Sequence, residues 1–256
     1  MADIPIFGKH VIPDGEHIIF SHGNFSLAVK RENEGWLFLQ TDNKRSAKDL
    51  TPDFSGSEYF KTGKSDTLRL VPALPEKPLI FKGNNLHISS GQKLIFFLKL
   101  PLNIQGYFSK TQPENLIKEI SPFKLTDSWF GEPHNGEPAF ALDSGSWQSK
   151  DEILLSPLEA ICPVTISNNF SGVLKVERLI LRVENMTLYK VAGKLITSLL
   201  TVEYKGKTIN SSAKYSYSKT FHGEKPEIVA KPRTITESNL KKINFYFIQN
   251  LYRQES

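Results

Sequence analysis

From Phe25 onward, apolar and polar residues alternate with a period of two, and turn residues interrupt the alternation every few positions. That period sets one face of a strand against a core and the other towards water. Phe25-Ser-Leu-Ala-Val-Lys, Glu32-Asn-Glu-Gly35 and Trp36-Leu-Phe-Leu-Gln read as strand, tight turn, strand. Thr67 to Val71 is another strand, closed by the proline-rich Pro72 to Pro78. Leu79 to Lys82, Gly83-Asn-Asn85 and Leu86 to Ser89 repeat the hairpin pattern. Lys93 to Leu100 is the most apolar strand, which predicts a central place in a sheet, and Pro101 ends it. Gly172 to Glu184 alternates with a change of parity at Glu177-Arg178, the mark of a bulge. Met186 to Val191 and Leu195 to Tyr204 are further strands; Lys205-Gly206 turns the chain and Lys207 to Tyr217 returns. Short strands with turns at close intervals predict an all-β fold, antiparallel and sandwich-like, in one or two units.

Little reads as helix. Pro113 to Ile120 has one short apolar side. Thr234-Ile-Thr-Glu237 has capping-box spacing, and Leu240, Ile243, Phe247 and Leu251 keep helical spacing. A C-terminal α-helix over 237–252 is expected. The polar stretch 41–64 suggests a boundary, so the expected division is residues 1–65, a β body over 66–223, and a linker with the helix over 224–256.

The net charge of +5 lies entirely in residues 151–256, the first 150 being balanced. Lys194 to Lys219 holds five lysines against one acid, Glu203. Such a ribbon favours an anionic partner, although the absence of arginine between Arg182 and Arg233 speaks against nucleic acid. The one cysteine, Cys162, excludes an internal disulfide and fits a small buried side chain. The first residues carry neither a basic nor an apolar leader region, and no apolar run has the length of a membrane span. A cytoplasmic protein is expected.

No phosphate-cradling glycine loop, nucleophile elbow or His-Glu-x-x-His metal motif is present. One stretch does gather chemistry-bearing residues, running from Asp127 and Trp129 through Glu132, His134, Asn135-Gly136 and Glu137 to Asp143 and Trp147. Asn-Gly is the strongest short hairpin signal, since a type I′ turn needs positive φ at both central residues. With that pair at the tip, His134 faces Glu137, Pro133 faces Pro138, and Glu132, His134 and Glu137 share one face. Those donors suit a divalent metal, with Asp143 as a fourth ligand. The same carboxylates could form an acid–base pair, with Trp129 and Trp147 as sugar-stacking platforms. A polar, solvated hairpin tip is the third reading.

The stretch from Leu125 to Asp143, preceded by the strand Leu94 to Leu102, resembles a prokaryotic domain-of-unknown-function family, number 432. The residues that carry the resemblance are Trp129, Phe130, Gly131, Gly136 and Glu137, and it spans about residues 66–220. The resemblance implies a β-rich cytoplasmic protein with no assigned reaction, some members being encoded beside small-conductance mechanosensitive channels.

Together these features favour a non-enzymatic binding or accessory module. Its partner would be a protein, membrane-associated in one version. The expected contacts are Lys205, Lys207, Lys214 and Tyr215 on the ribbon and Phe247 and Leu251 on the helix. The alternative is a metal-dependent or carbohydrate-active enzyme centred on Glu132, His134, Glu137 and Asp143.

Overall fold

The computed structural model describes residues 5–41, 52–131, 133–206 and 212–234, with backbone alone at 84 and 85. The first strands are β1 (Gly8–Val11), β2 (His17–His22), β3 (Phe25–Glu32), β4 (Gly35–Thr41), β5 (Glu58–Lys61) and β6 (Thr67–Ala73). Then come β7 (Leu79–Ile88), β8 (Lys93–Pro101), β9 (Asn103–Phe108), β10 (Leu116–Ile120), β11 (Thr126–Phe130) and β12 (Glu137–Leu142). The rest are β13 (Glu159–Asn168), β14 (Leu174–Leu181), β15 (Leu188–Val191), β16 (Lys194–Thr197), β17 (Leu199–Tyr204), β18 (Ser212–Ser216) and β19 (Glu227–Ala230). Between β18 and β19 lies a single-turn helix, α1 (Lys219–His222). The all-β class holds. The expected helix over 237–252 lies outside the described residues.

Contacts divide the chain into two compact units, one of residues 1–73, 102–123 and 156–158, the other of 74–101, 124–155 and 159–256. The division expected from the sequence takes consecutive blocks, 1–65, 66–223 and 224–256. Strand pairing explains the interleaving, because β6 pairs with both β1 and β9, and β9 in turn with β10.

The first unit is a sandwich of two antiparallel four-stranded sheets, β2-β3-β4-β5 and β1-β6-β9-β10. Its core joins Leu27, Val29, Trp36 and Phe38 from one sheet to Leu68, Leu70, Ile104 and Ile120 from the other. Each such side chain, fully buried, contributes about 1.5–3 kcal/mol. The expected tight turn is present. Glu32 pairs with Gly35, and Asn33 and Glu34 both take positive φ, at 48° and 61°. The stretch Pro113 to Ile120 is not a helix. It makes one 3-10 turn, Pro113–Asn115, and then enters β10, where pairing with β9 overrides a weak helical pattern.

In the second unit a four-stranded sheet, β11-β12-β7-β14, faces a seven-stranded one. The latter runs β18-β17-β13-β16-β15-β19, with β8 on the other edge of β13. Phe81 of β7 meets Phe96 of β8 across the layers, ring centres 5.9 Å apart. Both sheets are mixed, since β12 runs parallel to β7 and β13 runs parallel to β16 and β17. Three sequence expectations change here. Gly83-Asn-Asn85 is not a turn, because β7 passes straight through it. Leu195 to Tyr204 breaks at Ser198 into β16 and β17. The central strand is β13, not β8. Pro163 sits inside β13 opposite Phe97, whose backbone N–H and C=O both bond Trp147. The missing N–H of Pro163 therefore points to the other edge, where the neighbour changes from β16 to β17, and no ladder bond is lost. The bulge expected at Glu177-Arg178 is present, as the β14–β7 register shifts between Val176 and Arg178.

Candidate functional site

The hairpin expected around Asn135-Gly136 forms, with a different tip. Strands β11 and β12 pair from Thr126↔Ala141 to Phe130↔Glu137, so residues 131–136 make the connection. Neither Asn135 nor Gly136 takes positive φ, whereas Gly131 does, at 107°. The expected register would have placed Pro133 against Pro138, a rung with no N–H donor on either side. Instead Pro138 faces Trp129 on an edge hairpin, and the loop closes glycine on glycine. A Cβ on Gly131 would lie 2.8 Å from Gly136 Cα, and one on Gly136 would lie 2.0 Å from Trp129 Nε1.

Strand alternation sets Glu137 on the same face as Phe130 and Ala139, which with Ile80 and Ile180 form a small apolar floor. The arginines of β14 and its C-terminal extension rim that floor. Arg182 holds Glu137 by two parallel bonds, Nη1 to Oε2 at 2.9 Å and Nη2 to Oε1. Glu184 lies 3.5 Å from the same guanidinium. Arg178 donates through Nη2 to the Trp129 carbonyl at 2.8 Å and rests 5.6 Å over the Phe130 ring. The backbone N–H of Arg182 donates to Tyr215 Oη at 2.8 Å. Burial works to lower the Arg182 pKa, but the bond and charge of Glu137, helped by Glu184, carry it above its ordinary value. Burial pushes Glu184 up, with Arg182 opposing, and pushes the Tyr215 phenol up as well. Arg178 Nε, Glu184 Oε2 and Asn185 Oδ1 are buried without a hydrogen-bond partner among the described residues.

Of the four expected metal ligands, Glu132 lies outside the described residues. His134 and Asp143 are exposed, and Glu137 is engaged by Arg182. Among the described residues no group of three His, Cys, Asp or Glu side chains could hold a metal. Glu137 would have to give up Arg182 before it ligated a cation. On the ribbon, Lys214 is exposed on β18 and Lys205 lies 3.8 Å from Glu203. Tyr215 turns inward to Arg182. Lys207, Phe247 and Leu251 lie outside the described residues. Cys162 is fully buried, and burial pushes its thiol up to about 12, as a packing side chain requires.

A second feature was missed by sequence reading. Three turns of the second unit meet at one end, β7–β8, β13–β14 and the start of β17–β18. Asn168, fully buried, ties them together. Its Nδ2 donates to the carbonyls of Ile88 and Gly172, each at 2.8 Å, and its Oδ1 accepts from the Phe170 N–H at 3.1 Å. Its backbone N–H and C=O close on Gln92 and Gly91. The neighbouring Asn169 N–H bonds the Tyr204 carbonyl, and Ser90 Oγ donates to the Phe170 carbonyl at 2.7 Å. The Phe170 ring stands edge-on to Tyr204 at 6.0 Å, seated over Gly172 and Gly206. A Cβ on either glycine would lie 3.0 Å from that ring. Phe170 is nevertheless 41% exposed and Val173 beside it 64%. Lys93 lies opposite Ser167, and Lys205 follows Tyr204. The available sequence signal was one phenylalanine inside the otherwise small and polar Asn168-Asn-Phe-Ser-Gly172.

No helix among the described residues is long and apolar enough to cross a membrane. No curated protein and no solved structure matches the chain. A family described as protein of unknown function (DUF432) matches residues 6–249, well beyond the 66–220 of the sequence resemblance, and the chain belongs to that family.

Proposed function

We infer that the protein is a non-enzymatic binding module and that the three-turn end of its second unit is its contact surface. The observation that carries this reading is the seating of Phe170. A buried asparagine fixes the backbone of a ring that stays 41% open to water. A rigid mount for an exposed aromatic gains its value when a partner covers the ring. Lys205 of the expected ribbon belongs to this surface. In this reading the Glu137–Arg182 pair is scaffold, since each satisfies the other. The place of action is cytoplasmic, peripheral to a membrane.

Photo-crosslinking in cells tests the reading. Benzoyl-phenylalanine placed at Phe170 should give a discrete adduct, and the same probe at His134 on the hairpin tip should give none. Absence of an adduct at 170, or an adduct at 134 alone, would remove the end surface from consideration.

A further inference from the structure

We propose that the three-turn end of the second unit docks on an anionic lipid bilayer, with Phe170 and Val173 entering the headgroup region and Lys93 meeting lipid phosphates. The proposal rests on the reading of that end as the contact surface and names its partner.

Three properties of the end select a bilayer. The first is its apolar content. Phe170 and Val173 are exposed, and their neighbours Ser89, Ser90, Asn169 and Ser171 are small and polar. A ring with a polar surround suits the interface between headgroups and acyl chains. The second is charge. Among the described residues of the three turns, the charged side chains are Lys93 and Lys205, and none is acidic. The nearest acids on the adjoining strands lie against lysines, Glu177 2.9 Å from Lys175 and Glu203 3.8 Å from Lys205, so Lys93 supplies the net positive charge of the described end. Anionic headgroups attract basic side chains held within a Debye length of them. The third is size. Specific protein interfaces bring together about 20–30 residues a side, centred on Trp, Tyr or Arg. The described residues of the three turns, 89–93, 169–173 and 205–206, are fewer than that and include none of these three types. A lipid surface needs no shape-matched partner, and one apolar contact plus basic charge is the combination that holds a peripheral protein reversibly.

The Asn168 knot gives the end its rigidity. Its side chain and backbone bind residues from two of the turns, and Asn169 reaches the third, so the ring is presented without further ordering. Less conformational entropy is then lost on docking.

The test is flotation of the purified full chain with vesicles of phosphatidylcholine alone and of an equimolar phosphatidylcholine–phosphatidylglycerol mixture. Binding to the mixed vesicles only, weakening as salt is raised, is expected. Val173→Asp and Lys93→Glu should each weaken it by about tenfold, and Phe170→Ser by more. Val173 and Lys93 are exposed, so their variants keep the test valid if Phe170→Ser disturbs folding. Phe170→Trp should become quenched by brominated lipid on binding. Failure to float with anionic vesicles, or flotation unchanged in Val173→Asp and Lys93→Glu, overturns the proposal. A protein adduct at 170 without vesicle binding would overturn the lipid partner and leave the contact surface standing. No adduct of any kind at 170 would overturn both.

Discussion

Glu137 and Arg182, 45 positions apart, face each other as planar carboxylate and planar guanidinium joined by two parallel hydrogen bonds. The pair ties the start of β12 to the end of β14 across the four-stranded sheet, over the floor of Phe130, Ala139, Ile80 and Ile180. Arg178, two residues before Ile180, does the same for β11 through the Trp129 carbonyl.

Removing one partner of the pair should cost stability without loss of fold. Glu137 is about one-third exposed, so solvent screens the interaction, and Glu137→Gln should cost about 1 kcal/mol. A double-mutant cycle with Arg182→Met, read by urea unfolding, should give a coupling energy of similar size. Additive single effects would show that the pair contributes nothing of its own.

Glu184 should make stability depend on pH in the unusual direction for a carboxylate. Burial raises it above its ordinary 4.5, so the folded state holds the proton more tightly than the unfolded chain. Its contribution is full below about pH 4.5 and is lost as pH rises through the raised value. The unfolding free energy of the wild type minus that of Glu184→Gln should therefore fall as pH rises above about 4.5. A flat difference above that pH would contradict the assignment.

Asn168 should be among the most sensitive positions of the second unit. Asn168→Ala leaves the Ile88 and Gly172 carbonyls and the Phe170 N–H without their partner, at a cost of about 3 kcal/mol. Hydrogen exchange should quicken at residues 88–92 and 168–172 together. Exchange unchanged at 88–92 would mean that the turns are not coupled through this side chain.

Gly83→Ala should destabilise more than an ordinary change within a strand. A Cβ there would lie 2.2 Å from the Val176 carbonyl oxygen, a backbone atom held in the bulge. The strand or the bulge has to move, at a cost of about 2–3 kcal/mol. Calorimetry should show the drop in Tm, and an unchanged Tm would mean that the bulge yields freely.

Gly83 also shows where sequence reading fails. Glycine followed by two asparagines is turn chemistry, and the sequence alone suggests a hairpin. The glycine serves instead the bulge at Val176–Arg178, a residue pairing almost a hundred positions away. The bulge itself was legible, because a change of parity is local. Likewise the central strand β13 carries Pro163, and a proline inside a strand is acceptable only where its neighbours leave a gap, here made by β16 and β17.

The candidate sites divide in the same way. Glu137 was visible as a chemistry-bearing residue, but its partner Arg182 was not, and the loop of 131–136 replaced the expected two-residue turn. Phe170 carried no periodic signal, because its significance lies in the turns gathered around Asn168.

Period-two alternation and turn residues, read from the sequence by itself, determined the all-β class, most strands, the turn at Asn33-Glu34 and the bulge. These depend on side-chain direction and local φ, which neighbouring residues set. Which strands pair, which strand is central, which carboxylate is neutralised and which ring stays exposed were decided by tertiary structure alone. Those outcomes depend on backbone hydrogen bonds and packing between segments far apart in the chain, and no local pattern encodes such partners.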